Sequence, residues 1–257
     1  APNSQSVSRY HPGKGCWEPM PSMKSQRTYC AAVSLEPYLY VLGGQDRADE
    51  DKQIAWNTVE RYDPTNKDKD EFELLSSRMM EHRRSHAAAA LGNKIYICGG
   101  CDKGVGFDLG ADLDTARTAE VFCPATGTFT ALPKMIVPRN FHSAVCVKDK
   151  LVVIGGSVPG VHRVVKSVEV FEPLFMTWNM CPSLDMPFKR GGHVAATVDS
   201  KVYVVGGNEE DMPGCKGEIT LERLDLESGT WEKMKPMRFG RSCPCGGVIV
   251  QGPTAMV

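Results

Sequence analysis

Four times along the chain an apolar run stops on two glycines: "YLYVLGG", "KIYICGG", "KLVVIGG" and "KVYVVGG", ending at Gly43–Gly44, Gly99–Gly100, Gly155–Gly156 and Gly206–Gly207. Recurrence at a spacing of about fifty residues marks a repeat architecture, in which each unit must bury its apolar faces against its neighbours. The alternation inside "KIYICGG" places Ile95 and Ile97 on one sheet face and Tyr96 and Cys98 on the other. The paired glycines are read as positions where backbone angles or close approach forbid a side chain.

The rest of the unit falls into register with those glycines. An arginine stands sixteen residues before each pair, at Arg27, Arg83, Arg139 and Arg190, and Arg241 continues the series. A second strand signature follows each pair, in "VERYDP", "AEVFCP", "VEVFEP" and "LERLDL", and then an aromatic at Phe72, Phe129, Trp178 or Trp231. Short β-rich runs separated by Gly, Pro, Asn and Asp turns predict a four-stranded antiparallel meander. Strand a starts after the arginine, b ends in Gly-Gly, c carries the Glu-x-aromatic segment and d carries the late aromatic. Several such sheets packed radially make an all-β propeller.

The whole chain, 1–257, is assigned to one such domain, with units at approximately 20–75, 76–132, 133–181 and 182–233. A further unit is split between residues 1–19, where Trp17 follows Tyr10 by seven residues, and residues 234–257, which hold Arg241. That count gives four whole blades and one split blade. It fits either a five-bladed ring with a degenerate strand "GPTAMV" or a fragment of a six-bladed ring.

Composition restricts the function classes. With 42% hydrophobic and 24% charged residues the chain is an ordinary globular sequence. A net charge of −1 gives no overall attraction to nucleic acid or to an anionic membrane. No apolar run is long enough for a membrane-spanning helix, and residues 1–15 lack the apolar core of a signal peptide. Cys30, Cys98, Cys146 and Cys245 lie within strand-like apolar runs, where a thiol behaves as a small hydrophobe. A reducing, cytoplasmic setting is expected. Cys98 and Cys101 form a CxxC with no second ligand pair, and the carboxylates of 108–114 lack the glycine and terminal glutamate of a calcium loop. No metal and no cofactor is expected.

The conjunction of Gly-Gly pairs, spaced arginine, Tyr/Phe-Asp-Pro-like turn and late tryptophan resembles the Kelch repeat family, and the resemblance covers essentially the whole chain. It implies a protein-interaction module similar to the substrate-recognition propeller of BTB–Kelch adaptors. These present targets to a cullin-RING ubiquitin ligase through upstream domains that are not in this sequence. The alternatives it leaves open are an actin-associated Kelch scaffold and a Kelch-fold enzyme such as a sugar oxidase or epimerase. No nucleophile–base set or phosphate loop supports catalysis, so a non-catalytic binding role is expected.

The meander places the start of strand a, the d–a connection and the b–c loop on one face. Arg27, Arg83, Arg139, Arg190 and Arg241 are therefore expected to ring a channel mouth, where guanidiniums would capture an acidic or phosphorylated peptide. On that view Arg139→Ala leaves stability nearly unchanged. The competing possibility is that these arginines satisfy backbone carbonyls or pair with Glu60, Glu120, Glu169 and Glu222. His86, His142 and His193, each three residues after its arginine, are assigned structural hydrogen bonding. Specificity is expected where units differ: Tyr29, Ser85 and Phe141 two residues after the arginine, Phe188 and Phe239 two before it, and Trp56 at the end of an acidic loop. Trp17, Trp178, Trp231 and the eight glycines of the pairs are assigned to the scaffold.

Overall fold

The structure is a computed structural model that describes residues 5–46, 55–102, 112–161, 163–209 and 217–241. A hairpin of β1 (Val7–His11) and β2 (Cys16–Met20) comes first. Four four-stranded antiparallel sheets follow, each in meander order. The first holds β3 (Ala31–Leu35), β4 (Tyr38–Leu42), β5 (Trp56–Tyr62) and β6 (Glu73–Arg83); the second holds β7 (Ala87–Leu91), β8 (Lys94–Cys98), β9 (Ala119–Cys123) and β10 (Thr128–Leu132). The third contains β11 (Ser143–Val147), β12 (Lys150–Ile154), β15 (Val168–Glu172) and β16 (Thr177–Met180), with a small hairpin β13 (Ser157–Val158) and β14 (Arg163–Val164) inserted between β12 and β15. The fourth is β17 (Val194–Val198), β18 (Lys201–Val205), β19 (Leu221–Asp225) and β20 (Thr230–Lys233).

These sheets are the blades of a β-propeller, packed face to face with their first strands, β3, β7, β11 and β17, in mutual contact. The two-sided burial read from "KIYICGG" is present. Ile95 and Ile97 pack with Val33, Tyr40 and Leu42 of the first blade, while Tyr96 and Cys98 pack with Leu151 and Val153 of the third. A second strand thus belongs to two cores at once, which is why these runs are continuously apolar rather than strictly alternating.

The seven-residue spacing of the late aromatic is a hairpin register. Phe129 lies opposite Phe122, Trp178 opposite Phe171, Trp231 opposite Leu224 and Trp17 opposite Tyr10. Trp178 and Trp231 also anchor the preceding connection, their indole N–H groups donating to Pro133 O and Leu184 O. In the first blade the charged insert breaks that register: β5 and β6 pair with bulge-like shifts, and Phe72 stacks on Tyr62 with ring centroids 5.2 Å apart.

The hairpin β1–β2 stands in the frame of third and fourth strands. Met23 N–H donates to Gln5 O, as Met135 does to Arg117 O, Met186 to Lys166 O and Met237 to Ile219 O. The strands expected to complete this unit, within 242–257, lie outside the described residues. So do most of the acidic stretches of the first and fourth b–c loops, at 47–54 and 210–216, and residues 103–111 of the second.

The glycine pairs are seams. Gly99 has φ +65°, and a Cβ there would lie 2.5 Å from Arg139 O and 2.5 Å from His142 Cε1 of the next blade. Gly92 also has a positive φ, of +56°, but faces open space. Both alanine substitutions carry left-handed strain of about 1 kcal/mol or more, and only Gly99→Ala must also push two blades apart. Chemical denaturation is expected to show Gly99→Ala destabilised by at least about 2 kcal/mol more than Gly92→Ala.

Candidate functional site

The arginine series is brought together, but as scaffold. Arg27, Arg83, Arg139 and Arg190 are 0–4% exposed, and each pairs within its own blade with the glutamate of the third strand. Arg139 shows the full arrangement. Its Nε and Nη2 donate to Glu169 Oε1 at 3.0 and 2.9 Å, its Nη1 to Gly155 O at 2.7 Å and to Ser167 O at 2.9 Å, and its Nη2 also to Ser167 Oγ. The carboxylate accepts two further bonds, from the N–H groups of Ile136 and Val137. Arg27 with Glu60 and Arg83 with Glu120 repeat the plan. Burial pulls the Arg27 and Arg139 guanidiniums below their ordinary value, and the facing glutamates oppose that pull.

The expected ligand-binding ring of Arg27, Arg83, Arg139 and Arg190 is therefore corrected: these groups tie three strands and the d–a connection together, and their donors face the protein. Arg139 commits all five of its N–H donors, to the Glu169 carboxylate, the Gly155 and Ser167 carbonyls and the Ser167 hydroxyl, and has none left for a partner. The fourth pair is looser for a covalent reason. Pro187 stands where Lys24, Met80 and Ile136 supply an N–H, and Glu222 Oε1 and Arg190 Nε are left without hydrogen-bond partners. Arg241 keeps the backbone frame, its carbonyl accepting from Gly207 N–H as Arg83, Arg139 and Arg190 accept from Gly44, Gly100 and Gly156, while its side chain is exposed.

Two other series complete each seam. His86, His142 and His193 place Cε1 against Gly43, Gly99 and Gly155 of the preceding blade. Beside them lie Met79, Met135 and Met186, whose Cε atoms touch the same three glycines. This methionine was missed at the sequence level, although its signal is plain: a methionine precedes every arginine of the series by four residues, from Met23 to Met237. The expected hydrogen bonding of the histidines is met in part: His193 bonds to the backbone of Arg190 and Ile154 and His142 to that of Cys98, while both ring nitrogens of His86 lack a partner among the described residues. His142 Nε2 lies 3.6 Å from Cys98 Sγ. Burial pushes His86 and His193 down to about 3 and His142 well below its ordinary value, and pushes the Cys98 thiol up to about 12. Cys98 and Cys101 are fully buried seam residues.

Several aromatics reach solvent on the arginine side. The residues two positions after the arginines run as a hydrogen-bonded chain across the blades. Ser85 N–H donates to Tyr29 O, Phe141 N–H to Ser85 O and Gly192 N–H to Phe141 O. Tyr29, Ser85 and Phe141 all take left-handed φ of 50–56°, an arrangement that costs each about 1 kcal/mol or more and is held by the surrounding ladder. Tyr29 and Phe141, two blades apart in sequence, meet edge to face with centroids 5.8 Å apart. Tyr29 is 39% exposed and Ser85 is buried. Phe188 and Phe239 are exposed, at 38% and 72%. Trp56 is half-buried with the Arg27 guanidinium 5.2 Å from its ring, so it caps the first ion pair instead of standing free.

A seam of blades whose arginine–glutamate pairs are spent internally, carrying exposed aromatics on irregular backbone, is the construction of a repeat-built binding surface. The comparisons agree with that class. The Kelch motif family matches residues 26–77, 82–136, 138–184 and 189–238, and the chain belongs to the Kelch repeat family. It is 26% identical over 231 residues to Kelch-like protein terF of Aspergillus terreus, covering 88% of this chain and 48% of that protein. Against Kelch-like protein 15 of Homo sapiens the identity is 27% over 224 residues, 79% of this chain and 34% of the relative. Beta-scruin of Limulus polyphemus is 28% identical over 209 residues, 80% of this chain and 22% of the relative. The chain thus spans less than half the length of each of these relatives. It is a Kelch protein-interaction module; among the described residues no helix is long and apolar enough to cross a membrane.

The buried pairs and imidazoles generate two expectations. Arg139→Ala strands Glu169 in the interior and is expected to cost about 3–5 kcal/mol in chemical denaturation, whereas Tyr29→Ala, at a half-open surface, costs less than about 1 kcal/mol. Equal effects would return Arg139 to the surface. The histidines are neutral in the folded state and gain protons on unfolding, so their stabilisation is complete above about pH 6.5 and declines as pH falls towards 3. Between pH 6.5 and pH 5 each is expected to contribute about 2 kcal/mol to the loss, and His86→Gln is expected to flatten the denaturation midpoint against pH.

Proposed function

We propose that this Kelch module recognises a protein partner on its arginine-side face and serves as the substrate-recognition part of a BTB–Kelch cullin-RING ligase adaptor. The observation that carries the recognition half is the Tyr29–Phe141 contact. Two aromatic side chains from different blades are held together on strained backbone, half in solvent, beside arginines that are spent inside. Large aromatics already ordered before binding are among the residues that dominate protein–protein binding energy. The thiol–imidazole contact of Cys98 and His142 is fully buried, and burial pushes the thiol up to about 12 and the imidazole down, so it supplies no thiolate; this supports a non-catalytic role. The adaptor half follows from the family resemblance and needs a cullin-binding domain elsewhere in the full-length protein. Cytoplasmic residence accords with Cys98 and Cys146 packing as small hydrophobes in the core between blades.

Full-length protein purified from cells is expected to bring down a cullin together with a substrate. The Tyr29→Ala/Phe141→Ala variant is expected to keep the cullin, lose the substrate and melt within about 3 °C of the parent. Absence of a cullin, with co-sedimentation on filamentous actin instead, would assign the protein to the actin-associated branch. Retention of every partner by the double variant would refute the recognition surface.

A further inference from the structure

The blades present the same backbone frame, so chemically different residues in equivalent places can be compared directly. Three positions recur at each seam on the arginine side: three before the third-strand glutamate, and two before and one before the arginine. Around Glu120 and Arg139 they are Arg117, Val137 and Pro138, and Arg117 Nε is spent on Met135 O at 2.7 Å. Around Glu222 and Arg241 they are Ile219, Phe239 and Gly240. Only around Glu169 and Arg190 are they Lys166, Phe188 and Lys189.

Backbone bonds hold those three side by side. Met186 N–H donates to Lys166 O at 3.0 Å and Arg190 N–H to Val165 O at 3.3 Å, so the segment 186–190 lies along 163–166. Arg163 on β14 adds a further exposed cation, and Lys233 Nζ sits 5.2 Å from the Phe188 ring centroid. None of Arg163, Lys166, Lys189 and Lys233 makes an ion pair among the described residues. Of the carboxylates on these segments, Glu169 is paired with Arg139, and Asp185 accepts the Val168 N–H at 3.2 Å while keeping its charge. Lysines on the corresponding connections elsewhere are paired, Lys24 with Glu71 and Lys134 with Asp114. Among the described residues the cations of these segments outnumber the unpaired carboxylates, and an anionic partner relieves the repulsion between them.

We propose that the strip of Arg163, Lys166, Phe188 and Lys189 docks a carboxylate-rich segment of the partner protein, one that lays an apolar side chain on Phe188. The proposal rests on the protein-recognition role above and names the chemistry of its partner. Carboxylates at alternate positions of an extended segment would reach Lys166 and Lys189 on either side of the ring, and the cation already stacked on Phe188 keeps the ring fixed to receive the apolar group.

The test is selection of binders from a random dodecapeptide display library on the intact chain. Selected peptides are expected to be acidic with at least one large apolar residue. Their affinity is expected to fall at least about tenfold in Lys166→Glu/Lys189→Glu and in Phe188→Ala, and to fall with rising salt. Thermal melting of both variants checks that they fold, and Lys166→Gln/Lys189→Gln gives a milder second variant. A library that yields no binder, neutral binders, or binders indifferent to these variants overturns the proposal. Capture of the natural substrate that survives the charge reversal but is lost in Tyr29→Ala/Phe141→Ala leaves the recognition role standing and refutes this strip alone.

Discussion

The buried arginine–glutamate pair is the interaction on which the rest depends. A fully desolvated ion pair is stable only when its geometry is good and its remaining donors and acceptors are met. Arg139 and Glu169 meet that condition by drawing in the Gly155 carbonyl, the Ser167 hydroxyl and two backbone N–H groups. One side-chain pair thereby fixes the start of the first strand, the end of the second and the start of the third. The glycine that ends the second strand is then free to receive the next blade.

Coupling between blades follows from that local knot. The methionine, arginine carbonyl and histidine of one blade all land on the glycine of the blade before, leaving no room for a Cβ. The histidines set ring carbon on these glycines while the second glycine of each pair donates its N–H to the next arginine's carbonyl, so shape and hydrogen bonding hold the seam together. A surface assembled on such seams inherits their rigidity. It can keep Tyr29 and Phe141 on left-handed backbone without losing order, and variation in the connections changes chemistry without changing the frame.

Much of this was legible beforehand. The spacing of Gly-Gly, arginine and aromatic is set by hairpin registers, and registers are written in residue counts. Ile95 and Tyr96 could be assigned to opposite cores because a strand has a period of two. The arginine's destination was not legible, since the same residue at the same spacing suits either a ligand ring or an ion pair. Trp56 misled for a related reason: an aromatic at a loop end reads as a contact residue until its place over Arg27 is known. The methionine series was present in plain sight and went unread because methionine is expected to fill gaps anywhere.

The sequence by itself determined the repeat, the four-stranded antiparallel unit and the residues that recur in each, because local periodicity and turn chemistry are sequential properties. Tertiary structure alone decided which recurrent residues are spent inside and which remain for a partner. Burial depends on what a neighbouring blade brings within a few ångströms, and a guanidinium's donors can be counted as free or used only when the glutamate some thirty residues away has been placed beside it.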